Sequence, residues 1–154
     1  MISKKLIFIV CVLFNHYLGL AQKQVLYKQI DTTKLFLEIY NPPQFDNSKM
    51  YPAMVFFFGG GWIGGDKSHF LNHAKYFSKR GIVCFLSDYR TRTKNKTTPF
   101  ESLKDAKSAI RFIRKNASNF GVDPTEIIAS SARICRDRPC IEPCGNVSAD
   151  PSCL

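Results

Sequence analysis

Three consecutive glycines, Gly59, Gly60 and Gly61, follow an apolar run at residues 54–58 and precede Trp62. An apolar run of this length that ends in glycine is typical of a strand covered on both faces. Glycine lets the backbone turn sharply after the strand, so that N–H groups can point at a ligand with no Cβ in the way. The negatively charged oxygen that forms when an ester carbonyl is attacked is one ligand that needs such donors.

The glycine turn and four further motifs occur in an order that is known from one enzyme family. In chain order they are Gly-Gly-Gly-Trp at residues 59–62, Gly-Gly-Asp-Lys at 64–67, Asp-Tyr-Arg at 88–90, Asp105 and Gly-Val-Asp-Pro at 121–124. Over about residues 25–129 the chain therefore resembles the α/β-hydrolase esterases and lipases. Within that family it is most similar to secreted acetylxylan and feruloyl esterases or to hormone-sensitive-lipase-like enzymes. The resemblance implies a serine ester hydrolase that needs no cofactor.

The resemblance also implies roles for the residues of the glycine turn. Gly60 and Gly61 would provide the N–H groups of the oxyanion hole, supported by Phe58, Gly59 and Trp62. The family usually carries histidine where this chain has Phe58, so this side chain would brace the loop by packing alone. Because the donors are backbone groups, the change from histidine does not remove them.

A second group of motif residues, Tyr89, Arg90 and Asp105, is expected to be structural. Arg90 can pair with Asp105 and thereby tie a loop to the long helix that follows it. Asp88 and Asp123 precede the expected position of the nucleophile, whereas the acid and base of the family follow it. Neither of these two carboxylates is therefore expected to be catalytic.

The nucleophile of the family is the serine of G-x-S-x-G, on the turn after the next buried strand, and the printed sequence contains no such motif. That strand is predicted at residues 126–129. Ser130 and Ser131 follow it, but they lack flanking glycines, and no histidine occurs later in the sequence to act as a base. We therefore expect no catalytic nucleophile, acid or base in this chain, which as written would be inactive.

Residue usage changes abruptly at residues 130–154, which are interpreted as a non-homologous tail. Lysine is absent from this segment, which is rich in arginine and proline and contains Cys135, Cys140, Cys144 and Cys153. A reading-frame slip would explain the change, since residues 133–136 can be encoded AGG ATC TGC CGG, which one base later gives Gly-Ser-Ala-Gly. The alternative is a genuine tail with two disulfides on a non-catalytic secreted module.

The N-terminus is typical of a secretory signal peptide at residues 1–21. A basic start precedes a short apolar stretch at residues 6–14, and Gly19 and Ala21 provide small residues where a signal peptidase cleaves. The expected location is therefore secreted or periplasmic. The apolar stretch is too short for a stable membrane span. Lipid attachment at Cys11 is the alternative, although no small-residue box precedes that cysteine.

The chain has 154 residues and a formal net charge of +10. Such a balance can indicate a nucleic-acid partner. The lysines are scattered among apolar positions and form no run, so they are interpreted as solvated helix faces, and no nucleic-acid binding is predicted. The resemblance implies instead an ester substrate, either a small molecule or one linked to a polysaccharide.

The sequence also offers signals for two other kinds of ligand site. Residues 59–64 also fit G-x-G-x-x-G, with Asp88 near the end of the next strand, as in a dinucleotide site. A hairpin precedes this motif, however, and an exported chain is away from the NAD pool. His69 and His73 have the i, i+4 spacing of metal ligands, but a surface pair without a carboxylate is usually solvated. We predict no metal; a glycine loop that only packs is the remaining alternative.

Strands and helices alternate after an N-terminal hairpin. Strands are predicted at residues 25–30, 35–40, 54–58, 82–86 and 126–129, and helices at residues 67–80 and from residue 99 onward. This order predicts an α/β fold with parallel strands joined by crossover helices. Residues 22–129 would form the N-terminal half of an α/β-hydrolase sheet, with the C-terminal strands missing. The apolar stripe of the long helix is predicted to contain Leu103, Ala106, Ile110, Ile113 and Ala117.

Overall fold

A β-hairpin begins the described part of the chain, which in this computed structural model is residues 23–132. Strands β1 (Lys23–Ile30) and β2 (Thr33–Tyr40) pair antiparallel across a tight turn in which Asp31 has φ 50°. The predicted hairpin is therefore confirmed. The predicted signal peptide and the part of the predicted tail from residue 133 onward lie outside the described residues.

Three further strands form a parallel group beside the hairpin. They are β3 (Tyr51–Phe57), β4 (Val83–Ser87) and β5 (Val122–Ser131), and the strand order across the sheet is β1-β2-β4-β3-β5. Strand β3 pairs parallel with both β4 and β5, and β2 joins the hairpin to β4 in antiparallel fashion. The predicted arrangement of a hairpin followed by parallel strands is confirmed.

The first crossover begins with a tight turn and continues as a regular helix. A 3-10 turn at Lys67–Phe70 leads into α1 (Leu71–Ser78), where the sequence predicts one helix over residues 67–80. The carboxylate of Asp66 caps the turn by accepting a hydrogen bond of 2.9 Å from the backbone N–H of Ser68. The first crossover thus begins with a side-chain cap, although its first turn is tighter than an α-helix.

The helices cover both faces of the sheet. A short helix α2 (Arg92–Asn95) and the long helix α3 (Pro99–Lys115) follow β4. Because side chains alternate along a strand, Val55 packs in the cluster that contains Ile113 of α3, whereas Phe56 packs in the cluster under α1. Among the described residues, no helix combines the length and the apolar character that crossing a membrane requires.

The buried face of α3 differs from the predicted stripe by about one position. Its buried residues are Ser102, Asp105, Ala109 and Ile113. Leu103, which was predicted to be buried, is 51% exposed, so that part of the prediction is wrong. The reason is that the buried Asp105 carboxylate pairs with the half-buried side chains of Lys28 and Arg90, so this face of the helix turns inward although it is partly polar.

Strand β5 is an edge of the sheet in the described part of the chain, where its single neighbour is β3. It is longer than the predicted residues 126–129, since it includes Ser130 and Ser131. Most of its residues are exposed or half-exposed, and Ile128 is 53% exposed. An edge strand carries unpaired N–H and C=O groups, so this side of the sheet can accept a further strand.

Cys84 lies within β4, where it is fully buried beneath α1. Burial raises the pKa of its thiol to about 12, so the group stays protonated at neutral pH. The residue behaves as a small hydrophobic side chain, as its place in an apolar run predicts.

Candidate functional site

The glycine turn folds back on itself directly after β3. Gly60 and Gly61 have φ values of 136° and 58°, and Trp62 has φ 60°. The carbonyl oxygen of Gly60 accepts a hydrogen bond of 3.0 Å from the N–H of Ile63. A Cβ on Gly60 would lie 1.8 Å from the carbonyl oxygen of Gly64, whereas a Cβ on Gly61 would meet nothing within 4 Å. The turn therefore requires glycine at position 60 for space, and favours it at position 61 for conformation alone.

The difference between these two glycines gives a direct test of the turn. We expect Gly60→Ala to lower the free energy of unfolding by about 2–4 kcal/mol, because backbone strain adds to a steric clash. The matched change Gly61→Ala should cost only about 1 kcal/mol, which is the conformational term alone. Urea unfolding followed by circular dichroism measures both values. Equal losses would contradict the turn geometry.

The glycine turn lies against the carboxyl end of β5. A Cβ on Gly59 would lie 2.7 Å from the carbonyl oxygen of Ala132 and 3.0 Å from its Cβ. Phe57 pairs with Ser131 in the β3–β5 register, so both strands end at the same edge of the sheet. The position after β5, where the resemblance implies a nucleophile, is therefore next to Gly59, the first glycine of the turn that contains the predicted oxyanion donors.

The start of the turn is fixed by Phe58 and Tyr89. Their rings stack with centroids 4.1 Å apart and an interplanar angle of 14°. The hydroxyl of Tyr89 donates a hydrogen bond of 2.5 Å to the carbonyl oxygen of Phe58. Burial raises the pKa of Tyr89 to about 12, so this hydroxyl keeps its proton at neutral pH. Phe58 thus contributes through packing, and Tyr89 supplies the polar contact at this end of the turn.

Removing the Tyr89 hydroxyl alone should weaken this attachment. In Tyr89→Phe the ring stack can persist, but the buried carbonyl of Phe58 loses its donor, and we expect a loss of about 1–3 kcal/mol in stability. Tyr76→Phe is the matched control, since the ring of Tyr76 is 52% exposed, and it should change stability by less than about 0.5 kcal/mol. If both variants unfold at the same urea concentration, the hydroxyl contact does not stabilise the turn.

The middle of the turn is bonded to the first residues of α2 through the backbone. The carbonyl oxygen of Trp62 accepts a hydrogen bond of 3.0 Å from the N–H of Arg92. The carbonyl oxygen of Ile63 accepts bonds of 2.8 Å from the N–H and 2.6 Å from Oγ1 of Thr93. The ring of Trp62 is 52% exposed, so the attachment of this residue depends on its carbonyl group.

The ion pair expected between Arg90 and Asp105 is present and has an additional member. Nε of Arg90 lies 2.7 Å from Oδ2 of Asp105, Nη2 of Arg90 lies 3.1 Å from Oδ1, and Nζ of Lys28 lies 2.7 Å from Oδ1. Burial alone would raise the pKa of Asp105, but hydrogen bonds from Arg90 and Lys28 outweigh it and lower the pKa below its ordinary value. Because Lys28 is in β1, the cluster joins the hairpin, the segment after β4 and α3.

A second ionic cluster lies at the end of the turn, and sequence reasoning did not identify it. Nζ of Lys67 is 3.2 Å from Oδ2 of Asp88 and 3.6 Å from Oε2 of Glu38. Glu38 is 7% exposed, although its place in β2 suggests the wetter face of that strand. The Gly-Gly-Asp-Lys motif was the available signal for Lys67; nothing in the sequence indicates its partners.

The remaining candidate residues do not assemble a catalytic or metal centre in the described part of the chain. Ser130 and Ser131 are the last residues of β5, and neither hydrogen-bonds to a histidine within residues 23–132. His69 and His73 lie in the first crossover, and both are exposed. In the same range, no group of three His, Cys, Asp or Glu side chains is arranged to hold a metal ion.

Comparisons with known proteins match the same region of the chain. The family model described as BD-FAE matches residues 37–132. The probable isoprenylcysteine alpha-carbonyl methylesterase ICMEL2 of Arabidopsis thaliana is 35% identical over 91 residues, which cover 59% of this chain and 21% of that protein. Carboxylesterase 1C of Mus musculus is 27% identical over 114 residues, covering 70% of this chain and 20% of that protein.

A solved structure has the same architecture over the described residues. Esterase 2 of Thermogutta terrifontis with bound propionate superposes with a TM-score of 0.70 and 39% sequence identity. The match covers 71% of this chain and 40% of the esterase. The chain therefore spans about a fifth of the two curated relatives and less than half of this esterase.

Proposed function

This chain belongs to the BD-FAE family of α/β-hydrolase esterases, and on that premise we propose that it carries the oxyanion-binding part of a carboxylic ester hydrolase. The parent protein would transfer the acyl group of an ester to a serine and then to water, with no cofactor. The observation that carries the proposal is the close approach of Gly59 to Ala132. This approach supports the proposal because Gly59 directly precedes the predicted N–H donors and lies beside the chain position that follows β5.

The chemistry assigned to the turn is stabilisation of negative charge. When the serine oxygen attacks the ester carbonyl carbon, the C=O electron pair moves to the carbonyl oxygen and the serine proton moves to a histidine base. The N–H groups of Gly60 and Gly61 would bind that oxyanion before it collapses and expels the alcohol. Hydrogen bonds at both ends of the turn hold these groups in advance, so little reorganisation is needed as the charge develops.

The printed chain by itself would be inactive, because its sequence contains no G-x-S-x-G. We attribute this to a reading-frame slip after Ser130. The neighbouring frame can encode Gly-Ser-Ala-Gly, which matches G-x-S-x-G except at the first glycine, where the chain has Ala132. The test is hydrolysis of p-nitrophenyl acetate by the printed chain and by the protein translated after a one-base correction before the codon of Arg133. A correction that gives a folded protein without activity would contradict the proposed function.

Esters with short acyl groups are proposed as the substrates of the parent protein. Support comes from the solved structures of Thermogutta terrifontis esterase 2, which are described with propionate or butyrate bound. The relatives named as a methylesterase and a carboxylesterase are consistent with a carboxylic ester as the bond that is cleaved. A short acyl group linked to a polysaccharide is the second substrate class to be assayed.

Export through a cleaved signal peptide is also part of the proposal. We expect the protein recovered outside the cytoplasm of its own host to begin at Gln22, because residues 19–21 end in the small residues that signal peptidase requires. N-terminal sequencing provides the measurement. A secreted protein that still begins with Met1 would contradict cleavage.

A further inference from the structure

The glycine turn continues to Lys67, whose side chain reaches the two neighbouring strands β2 and β4. Its Nζ lies 3.2 Å from Oδ2 of Asp88, which directly follows β4, and 3.6 Å from Oε2 of Glu38 in β2. The side chains of Lys67, Asp88 and Glu38 are 17%, 30% and 10% exposed. We call these three residues the Lys67 cluster.

The burial of Glu38 indicates that its interaction with Lys67 is more than a surface contact. A carboxylate this far from water is unfavourable unless it is paired and hydrogen-bonded. Here the hydroxyl of Tyr40 donates a hydrogen bond to Oε1 of Glu38, and Lys67 approaches Oε2. Lys67 therefore has a defined position, set by one carboxylate in β2 and another directly after β4, and this fixes the chain at the end of the turn.

The ion pair between Lys94 and Asp66, close to the same turn, is longer and more exposed than the contacts of Lys67. Nζ of Lys94 lies 3.9 Å from Oδ2 of Asp66, and both side chains are more than half exposed. Exposed pairs of this kind contribute little, because water and salt screen the charges. Two lysines thus contact carboxylates near the end of the same turn, one in a mostly buried cluster and the other at the surface.

We propose that Lys67 is a positioning residue for the oxyanion-binding turn, which it anchors to β2 and β4 through Glu38 and Asp88. The inference rests on the proposed function for the role of the turn. Tyr89 anchors the start of the turn and Lys67 anchors its end, so the intervening amides of Gly60 and Gly61 are held at both sides. Without the contacts of Lys67, the turn would open more often, whereas the opening of the sheet that carries it would change much less.

Amide hydrogen exchange in the full chain tests this without requiring catalysis. The Ile63 amide reports on the turn, since it donates to the carbonyl of Gly60, and the Phe85 amide reports on the buried sheet. In Lys67→Met we expect the exchange rate of Ile63 to rise about tenfold relative to that of Phe85. In the control Lys94→Met the same ratio should change less than about twofold.

Two further variants separate positioning from general destabilisation. Lys67→Arg keeps the charge and should restore most of the protection at Ile63. The double variant Glu38→Gln with Lys67→Met removes the unpaired buried carboxylate, so it should fold even where Lys67→Met does not, and it should still show faster exchange at Ile63.

Equal acceleration at Ile63 and Phe85, or no acceleration in the double variant, would overturn the proposal. Failure of the proposed function would appear separately, as missing ester hydrolysis by the frame-corrected protein while the exchange pattern remains as predicted.

Discussion

Replacing Asp105 with asparagine is expected to lower the free energy of unfolding of the described domain substantially. The side chain is fully buried between Arg90 and Lys28, and loss of one partner from a buried ion pair costs about 3–5 kcal/mol, because the opposite charges lose their compensation. The side chains of Lys28 and Arg90 are 24% and 14% exposed, so they can partly recover hydration. We therefore expect the lower end of that range, about 3 kcal/mol.

The matched control for this variant is Asp31→Asn, which makes the same chemical change in an exposed turn. Asp31 has φ 50°, a conformation that asparagine also tolerates, so stability should change by less than about 0.5 kcal/mol. Urea unfolding followed by circular dichroism gives both values. If the two variants unfold at the same urea concentration, the contacts of Asp105 with Arg90 and Lys28 do not stabilise the packing of the hairpin against α3.

The same carboxylate sets part of the pH dependence of folding. The pKa of Asp105 is lower in the folded protein than its ordinary value, so its ionisation stabilises the fold at pH values above about 4, the usual pKa of aspartate. This stabilisation is lost as the pH falls further, through the lowered pKa of the folded state. The stability difference between the parent chain and Asp105→Asn should therefore shrink in acid, whereas the Asp31→Asn difference should stay near zero.

Local sequence patterns were sufficient to predict the order and type of the strands. The hairpin is predicted by two short apolar runs around a turn. The glycine turn is predicted by consecutive glycines, which adopt positive φ angles more easily than other residues. The pairing of Arg90 with Asp105 could also be inferred, because both belong to motifs of the recognised family. These features depend on residues close in sequence or on the order of the motifs, so they can be predicted without knowing the register of the sheet.

Features that depend on register could not be predicted in the same way. Glu38 occupies an alternating position that suggests solvent, yet Lys67 and Tyr40 allow it to be buried. The predicted apolar stripe of α3 lies about one position from the face that is buried. Hydrophobic periodicity counts only apolar residues, whereas the buried face includes Asp105. Nothing in the sequence around Lys28 indicates that it pairs with Asp105. The contact forms only because β1 lies beside α3 in the fold. In each case a distant partner changes the cost of burying a charge.

The printed chain should show no ester hydrolysis above background. Its sequence lacks the serine motif, and in a serine hydrolase the loss of the triad lowers turnover by about 10⁶-fold, leaving only what binding and the oxyanion hole provide. Initial rates with p-nitrophenyl acetate, compared with Ser130→Ala and Ser131→Ala, measure this. Turnover that both alanine variants retain would show that catalysis does not require the missing motif. Turnover that either variant loses would assign the reaction to that serine.

The most direct test of the oxyanion-binding role is the esterase activity of the frame-corrected protein, measured side by side with the printed chain. We predict that the one-base correction gives Gly-Ser-Ala-Gly after β5 and raises kcat/KM for p-nitrophenyl acetate by about 10⁶-fold, the typical contribution of a catalytic triad. Gly60→Ala in the corrected protein should abolish most of that gain, because its Cβ would clash with the carbonyl oxygen of Gly64 and shift the turn. Gly61→Ala has space for its Cβ and should retain the gain. A corrected protein that folds cooperatively and hydrolyses no short-chain ester, or stop codons directly after the correction, would contradict the proposal.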